Sequence, residues 1–140
     1  MEELFNPRAG LRRTTDEQLI ANLVGSSEYF TNHQSDNLTF LQGAYNDTLG
    51  RKLDSSGQAS WLPYLNAGGS RTFVATQLVT SSEYRTNLIA GYYTTYLGHT
   101  GSSTDIAGWV NHLADGMTDE QVLVFFLTTA DYFLKAHAYP

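Results

Sequence analysis

The sequence contains no cysteine, so disulfides, a thiolate nucleophile and thiolate-ligated metals are excluded. Such a chain fits an exported bacterial protein without fixing its compartment. Basic residues are also scarce: 8 Lys and Arg stand against 14 Asp and Glu, for a net charge of −6. A nucleic-acid partner needs a basic face, and none is available. Arg8, Arg12 and Arg13 do cluster, and read as a solvated tail. No run of about 18 apolar residues occurs, so no membrane span is expected. Met1-Glu2-Glu3-Leu4-Phe5 lacks the basic-then-apolar order of a signal peptide, so export would use a signal outside these residues. The histidines, His33, His99, His112 and His137, form no i,i+4 pair, and no carboxylates stand at ligand spacing. Asp54-x-Ser56-x-Gln58 lacks the central Gly and closing Glu of a calcium loop. No metal or other cofactor is therefore expected. There is no Gly-x-Ser-x-Gly elbow and no convergent acid, base and nucleophile, so the chain does not read as an enzyme.

What is present is repetition. Leu49-Gly50-Arg51 through Ala59-Ser60-Trp61 recurs 48 residues later as Leu97-Gly98-His99 through Ala107-Gly108-Trp109. The alignment runs without a gap from residues 43–84 to 91–132. Gly43, Tyr45, Leu49, Gly50, Ser55, Ala59, Trp61, Leu65, Gly68, Val74, Thr80 and Tyr84 are identical to their counterparts. A second, shorter likeness links Thr15–Phe30 to Thr118–Phe133 at a spacing of 103. In 140 residues of which 41% are apolar, this is enough for one domain with a shared core.

Helical periodicity dominates and no strand signal appears. Residues 1–14, with Pro7 and Gly10, read as an N-terminal arm. Thr15-Asp16-Glu17-Gln18 and Thr118-Asp119-Glu120-Gln121 are capping boxes that start helices running to about Phe30 and Leu134. Residues 33–37 form a loop. A helix over about Leu38–Leu49 ends at Gly50, where a left-handed residue is wanted. Asp54 or Ser55 caps the next helix, which holds Trp61 and Leu65 and which Pro63 should kink or shift. Ser70 opens another helix, expected to end near Ser82-Glu83-Tyr84. The second copy gives helices over Leu88–Leu97 and Asp105–Ala114. The expectation is an all-α fold of about seven helices forming a single domain over 15–135: an N-terminal half-module (15–32) and two tandem helix-loop-helix modules (40–85 and 88–134).

Tyr45-x3-Leu49-Gly50-Arg51-x2-Asp54-x2-Gly57-x3-Trp61-x3-Leu65-x2-Gly68, followed by Phe73-Val74 and Ser82-Glu83-Tyr84, resembles the bacterial domain-of-unknown-function family numbered 4214. The second copy departs from the pattern at His99, Ser102, Asp105 and Asp131. The resemblance implies an all-helical module, often in tandem, appended to secreted or cell-surface bacterial proteins such as surface-layer and calcium-repeat proteins. It implies no enzymatic activity. A fainter likeness of Phe73-Val74 and Ser82-Glu83-Tyr84-Arg85 to the linker polypeptides of phycobilisomes bears on fold alone.

Trp61 and Trp109 read first as the central core residue of each module, and second as stacking platforms for sugar or peptide. Arg51 is expected to bond helix carbonyls or to pair with Asp54 or Glu83. Tyr92, Tyr93 and Tyr96 cannot all be buried on one stripe of one helix. Ile89, Tyr93 and Leu97 match the core-like stripe Leu41, Tyr45 and Leu49, so Tyr92 and Tyr96 are the candidates for the surface, with Tyr139 as a third interface candidate. The functional expectation is a non-catalytic interaction or assembly module of a bacterial extracellular or cell-surface structure, with a protein partner for which copies of itself are one option. The alternative is a carbohydrate-binding or wall-anchoring module.

Overall fold

A computed structural model describes residues 16–128. Among these residues the fold is all-α, with no strand. The helices are α1 (Asp16–Val24), α2 (Ser27–Asn32), α3 (Asn37–Leu49), α4 (Ser55–Asn66), α5 (Arg71–Val79), α6 (Ser82–Tyr92, continued by a π-helical turn over Tyr93–Leu97), α7 (Ser103–Ala114) and α8 (Asp119–Leu127). They fall into two compact units that divide between Ser81 and Ser82.

The helix ends follow local chemistry. Asp36, Asp54, Ser70, Ser102 and Thr118 each accept a hydrogen bond from a first-turn N–H. At Thr118 the capping box is complete, with Gln121 reaching back to the cap. Gly50 (φ 68°) and Gly98 (φ 76°) take the left-handed conformation that closes α3 and the π-helical turn. The Thr15 capping box lies partly outside the described residues.

Two boundaries differ from expectation. The first helix breaks: α1 stops at Val24 and Ser26 caps α2, its hydroxyl accepting from Tyr29 N and donating to the Leu23 carbonyl. Gly25 lies directly against Thr72 at the start of α5, a separation that leaves no room for a Cβ. Ser82-Glu83-Tyr84 opens α6 rather than closing α5. The hydroxyls of Thr80 and Ser81 bond the carbonyls of Thr76 and Leu78, and α5 ends there. As expected, Asp54 caps α4, which runs through Pro63 to Asn66; Pro63 has no N–H, so one backbone bond is left unmade there.

In the first unit, α1 lies along α5, and α3 touches α2, α4 and α5. Phe40, Leu41, Ala44, Tyr45 and Leu49 of α3 are buried with Leu65 and with Val74, Ala75, Leu78 and Val79 of α5. The rings of Tyr29 and Phe30 meet Phe40 edge-on at 5.8 and 6.3 Å.

In the second unit, Ile89, Tyr93 and Leu97 pack with Val110, Leu113, Val122 and Phe126. Phe126 is central, with the Tyr93 ring 4.8 Å away and perpendicular. Thr94 bonds the Gly91 carbonyl through its hydroxyl, competing with the regular ladder where the helix widens. The wide turn sends Tyr93 and Leu97 inward and leaves Thr94, Thr95 and Tyr96 outside.

Candidate functional site

The first unit carries an aromatic patch built by α4, α5 and the turn between them. Asp54 caps α4 through Gly57 N at 2.8 Å, and Gly57 fits only because its missing Cβ leaves space for the Tyr45 hydroxyl. One helical turn apart on α4 stand Trp61 and Tyr64. The chain then turns at Gly68 (φ 94°), and Gly69 lies flat against the Tyr64 ring. Ser70 N donates to the Tyr64 hydroxyl at 3.1 Å, which fixes the ring to the turn. Phe73, on the first turn of α5, completes a triangle. Trp61–Tyr64, Trp61–Phe73 and Tyr64–Phe73 centroids are 5.8, 6.2 and 5.9 Å apart, with edge-to-face or tilted planes. Phe73 is 47% exposed and Tyr64 36% exposed. Three rings braced against one another, Tyr64 and Phe73 exposed and Trp61 half-buried, form an apolar platform that also carries the Tyr64 hydroxyl and the Trp61 indole N–H.

Trp61 is therefore not the central core residue of its half of the chain. The buried residue of α4 is Leu65, and Trp61 is half-buried among rings that are themselves exposed. Trp109 is also half-buried, but it faces inward, 5.9 Å from Phe126, with His112 beside it. Neither the position of Trp61 in the repeat nor its size distinguishes these surroundings. The signal that could have done so is the company each Trp keeps: Tyr64 and Phe73 in the first copy are replaced by His112 and Gln121 in the second.

The other sequence candidates are placed as follows. Arg51 donates to the Lys52 carbonyl at 3.1 Å, lies 3.6 Å from the Asp54 carboxylate and sits over the Tyr45 ring at 5.2 Å. Arg51 and Asp54 thus brace the loop between α3 and α4, and Asp54 is already engaged as a cap. Glu83 is in the exposed first turn of α6. Tyr96 is 38% exposed, whereas Tyr92 is half-buried between Tyr96 (6.1 Å) and Phe126 (5.9 Å). Tyr139 lies outside the described residues.

Titration behaviour is governed by structural contacts. Burial, and then the hydrogen bond to the Asp47 carboxylate, push the Tyr29 hydroxyl far above the ordinary tyrosine value. Thr39, through its N–H and then its hydroxyl, holds Asp36 below the usual carboxylate range. Beside the patch helix, Gln42, Asn46, Lys52, Leu53 and Gln58 line a hollow of about 370 Å³ with three carboxamides and one ammonium.

Residues 20–88 match the family model described as Domain of unknown function (DUF4214). The chain carries a DUF4214 domain. The match runs from Ile20 within α1 through the rest of the first unit into the opening turns of α6, so the aromatic patch lies wholly within the DUF4214 region. No curated protein and no solved structure matches the chain, and the likeness to phycobilisome linker polypeptides gains no support.

Proposed function

We propose that this DUF4214 chain is a non-catalytic protein–protein interaction or assembly module of a bacterial extracellular or cell-surface structure. The observation that carries the reading is the Trp61–Tyr64–Phe73 patch: large rings, locked in place, left at the surface. Aromatic anchors of this kind dominate binding energy at protein interfaces because they bury much area at little entropic cost. Tyr96 adds a smaller exposed ring on the second unit. The shifted groups described above serve a cap and a helix tether, which suits a binding role better than acid–base chemistry. The surface location rests on the family resemblance.

A carbohydrate-binding or wall-anchoring module is the second reading. It is favoured by the carboxamide-lined hollow of Gln42, Asn46 and Gln58, since such groups pair with sugar hydroxyls.

The deciding experiment places a photoreactive phenylalanine analogue at position 73 in the native cell and identifies what it captures. A discrete protein adduct, lost when Tyr64 is changed to Ser, is the expected result. Capture of glycan, together with binding on a glycan array, would replace the first reading by the second.

A further inference from the structure

The hollow between α3 and α4 is framed by a pinned piece of backbone. Gly50 turns the chain left-handed out of α3, and Arg51 donates to the Lys52 carbonyl while lying 3.6 Å from the Asp54 carboxylate. Asp54 then caps α4, and the Tyr45 hydroxyl lies against Gly57, closing the first turn of α4 onto α3. Gln42 and Asn46 stand one turn apart on α3, Lys52 and Leu53 belong to the braced loop, and Gln58 follows the α4 cap. These five residues, all in the first unit, line about 370 Å³, at the small end of the range for ligand sites.

The polar side chains of this lining serve no contact within the fold. The carboxamides of Gln42, Asn46 and Gln58 make no hydrogen bond to another described residue, and the Lys52 ammonium has no carboxylate partner among them. The second copy supports this. The π-helical turn ends at Leu97 as α3 ends at Leu49, and α7 spans Ser103–Ala114 as α4 spans Ser55–Asn66, each at a spacing of 48. Gly98 closes the turn as Gly50 closes α3, and Ser102 caps α7 as Asp54 caps α4. Yet Gln42, Asn46, Lys52, Leu53 and Gln58 are replaced there by Ala90, Thr94, Thr100, Gly101 and Ile106. The helix–loop–helix forms without these side chains, which leaves them available to a ligand.

We propose that this hollow binds a sugar acid of the hexuronate type, with its carboxylate on Lys52 and its hydroxyls on Gln42, Asn46 and Gln58. The inference rests on the carbohydrate reading and not on the aromatic patch. Each carboxamide offers an acceptor and two donors, which suits hydroxyls that both give and accept. Lys52 offers donors and a positive charge. Its charge is not cancelled by the loop, because Asp54 is the partner of Arg51 and the nearby Asp47 is held by Tyr29. In a chain of net charge −6, this is a place where an anion is attracted instead of repelled. A bare sulfate would only accept, leaving the carboxamide oxygens with nothing to receive. A peptide C-terminus would need an apolar seat for its last side chain. The wall offers Leu53 alone, enough for the C–H face of one pyranose ring.

The test titrates the full chain, followed by amide chemical shifts, with D-glucuronate, D-galacturonate and D-mannuronate, with the three neutral parent hexoses, and with acetate. At least one uronate should shift the α3–α4 loop and bind about tenfold more tightly than its parent hexose and than acetate. Lys52→Gln keeps a hydrogen-bonding tip but removes the charge, and should abolish that preference. Gln58→Ala should weaken the uronate and its hexose alike. Gln77→Ala, at an exposed carboxamide of α5 outside the hollow, should change neither. Hexoses that bind there as tightly as the uronates, with no effect of Lys52→Gln, overturn the proposal and leave the carbohydrate reading standing. Acetate binding as tightly as the uronates overturns it in favour of a bare carboxylate site, which a peptide C-terminus would share. If neither uronates nor hexoses shift the loop, the proposal fails, and the glycan array decides the carbohydrate reading separately.

Discussion

The Tyr29 hydroxyl donates to the Asp47 carboxylate at 2.6 Å, joining α2 to α3 across the strained turn at Gln34 and Ser35. The same ring stacks on His33 at 4.1 Å and meets Phe40 edge-on. One side chain thus anchors the short helix α2 by three different contacts.

This contact has a pH signature. The Tyr29 pKa is raised on folding, so the stability it confers is complete below the unfolded tyrosine value of about 10 and is lost as pH climbs above it. Tyr29→Phe keeps the ring and removes the hydroxyl. It should cost about 1 kcal/mol at neutral pH and flatten the loss of stability above about pH 10. Urea titrations at neutral and alkaline pH compare the two proteins; equal alkaline slopes would refute the tether.

The two tryptophans should respond differently to truncation. Trp109→Ala removes a ring packed on the buried Phe126 and should cost about 2–3 kcal/mol, below the range for a fully buried Trp. Trp61→Ala removes a half-buried ring whose aromatic partners, Tyr64 and Phe73, are themselves exposed, and should cost about 1 kcal/mol. Chemical denaturation gives both values. A larger loss for Trp61 would mean that its ring belongs to the core after all.

Gly25→Ala should destabilise the first unit by about 1–3 kcal/mol, because a Cβ there meets the Thr72 backbone as well as its side chain. The melting temperature of the variant is the measurement. Wild-type stability would show that α1 and α5 are not pressed together.

Tyr96→Ser should change stability by less than about 0.5 kcal/mol, as for an ordinary surface position. Tyr92→Ser takes a ring away from Phe126 and should cost about 1–2 kcal/mol. Joint replacement of both would therefore test fold and surface at once, so the single variants are the cleaner comparison.

What the sequence determined by itself is local. A Ser, Thr or Asp ahead of a helix engages an N–H three residues on, and Gly50 and Gly98 supply left-handed closures wherever the rest of the chain lies. The stripes Leu41–Tyr45–Leu49 and Ile89–Tyr93–Leu97 were legible because each puts three large apolar groups on one face of one helix, and all six are buried. The DUF4214 motif was legible for the same reason, being a string of caps and stripe positions. What only the tertiary structure decided is which faces find a neighbour. Trp61 and Trp109 share a repeat position, but one joins Tyr64 and Phe73 at the surface and the other joins Phe126. At the break the Gly25 backbone lies against Thr72, 47 residues later in the chain, a contact that no local pattern records. α1 lies along α5, whose Ala75 and Val79 are buried, while Val124 of α8 is 62% exposed. Burial is a property of pairs of surfaces, and a helix's own sequence records only the surface it offers.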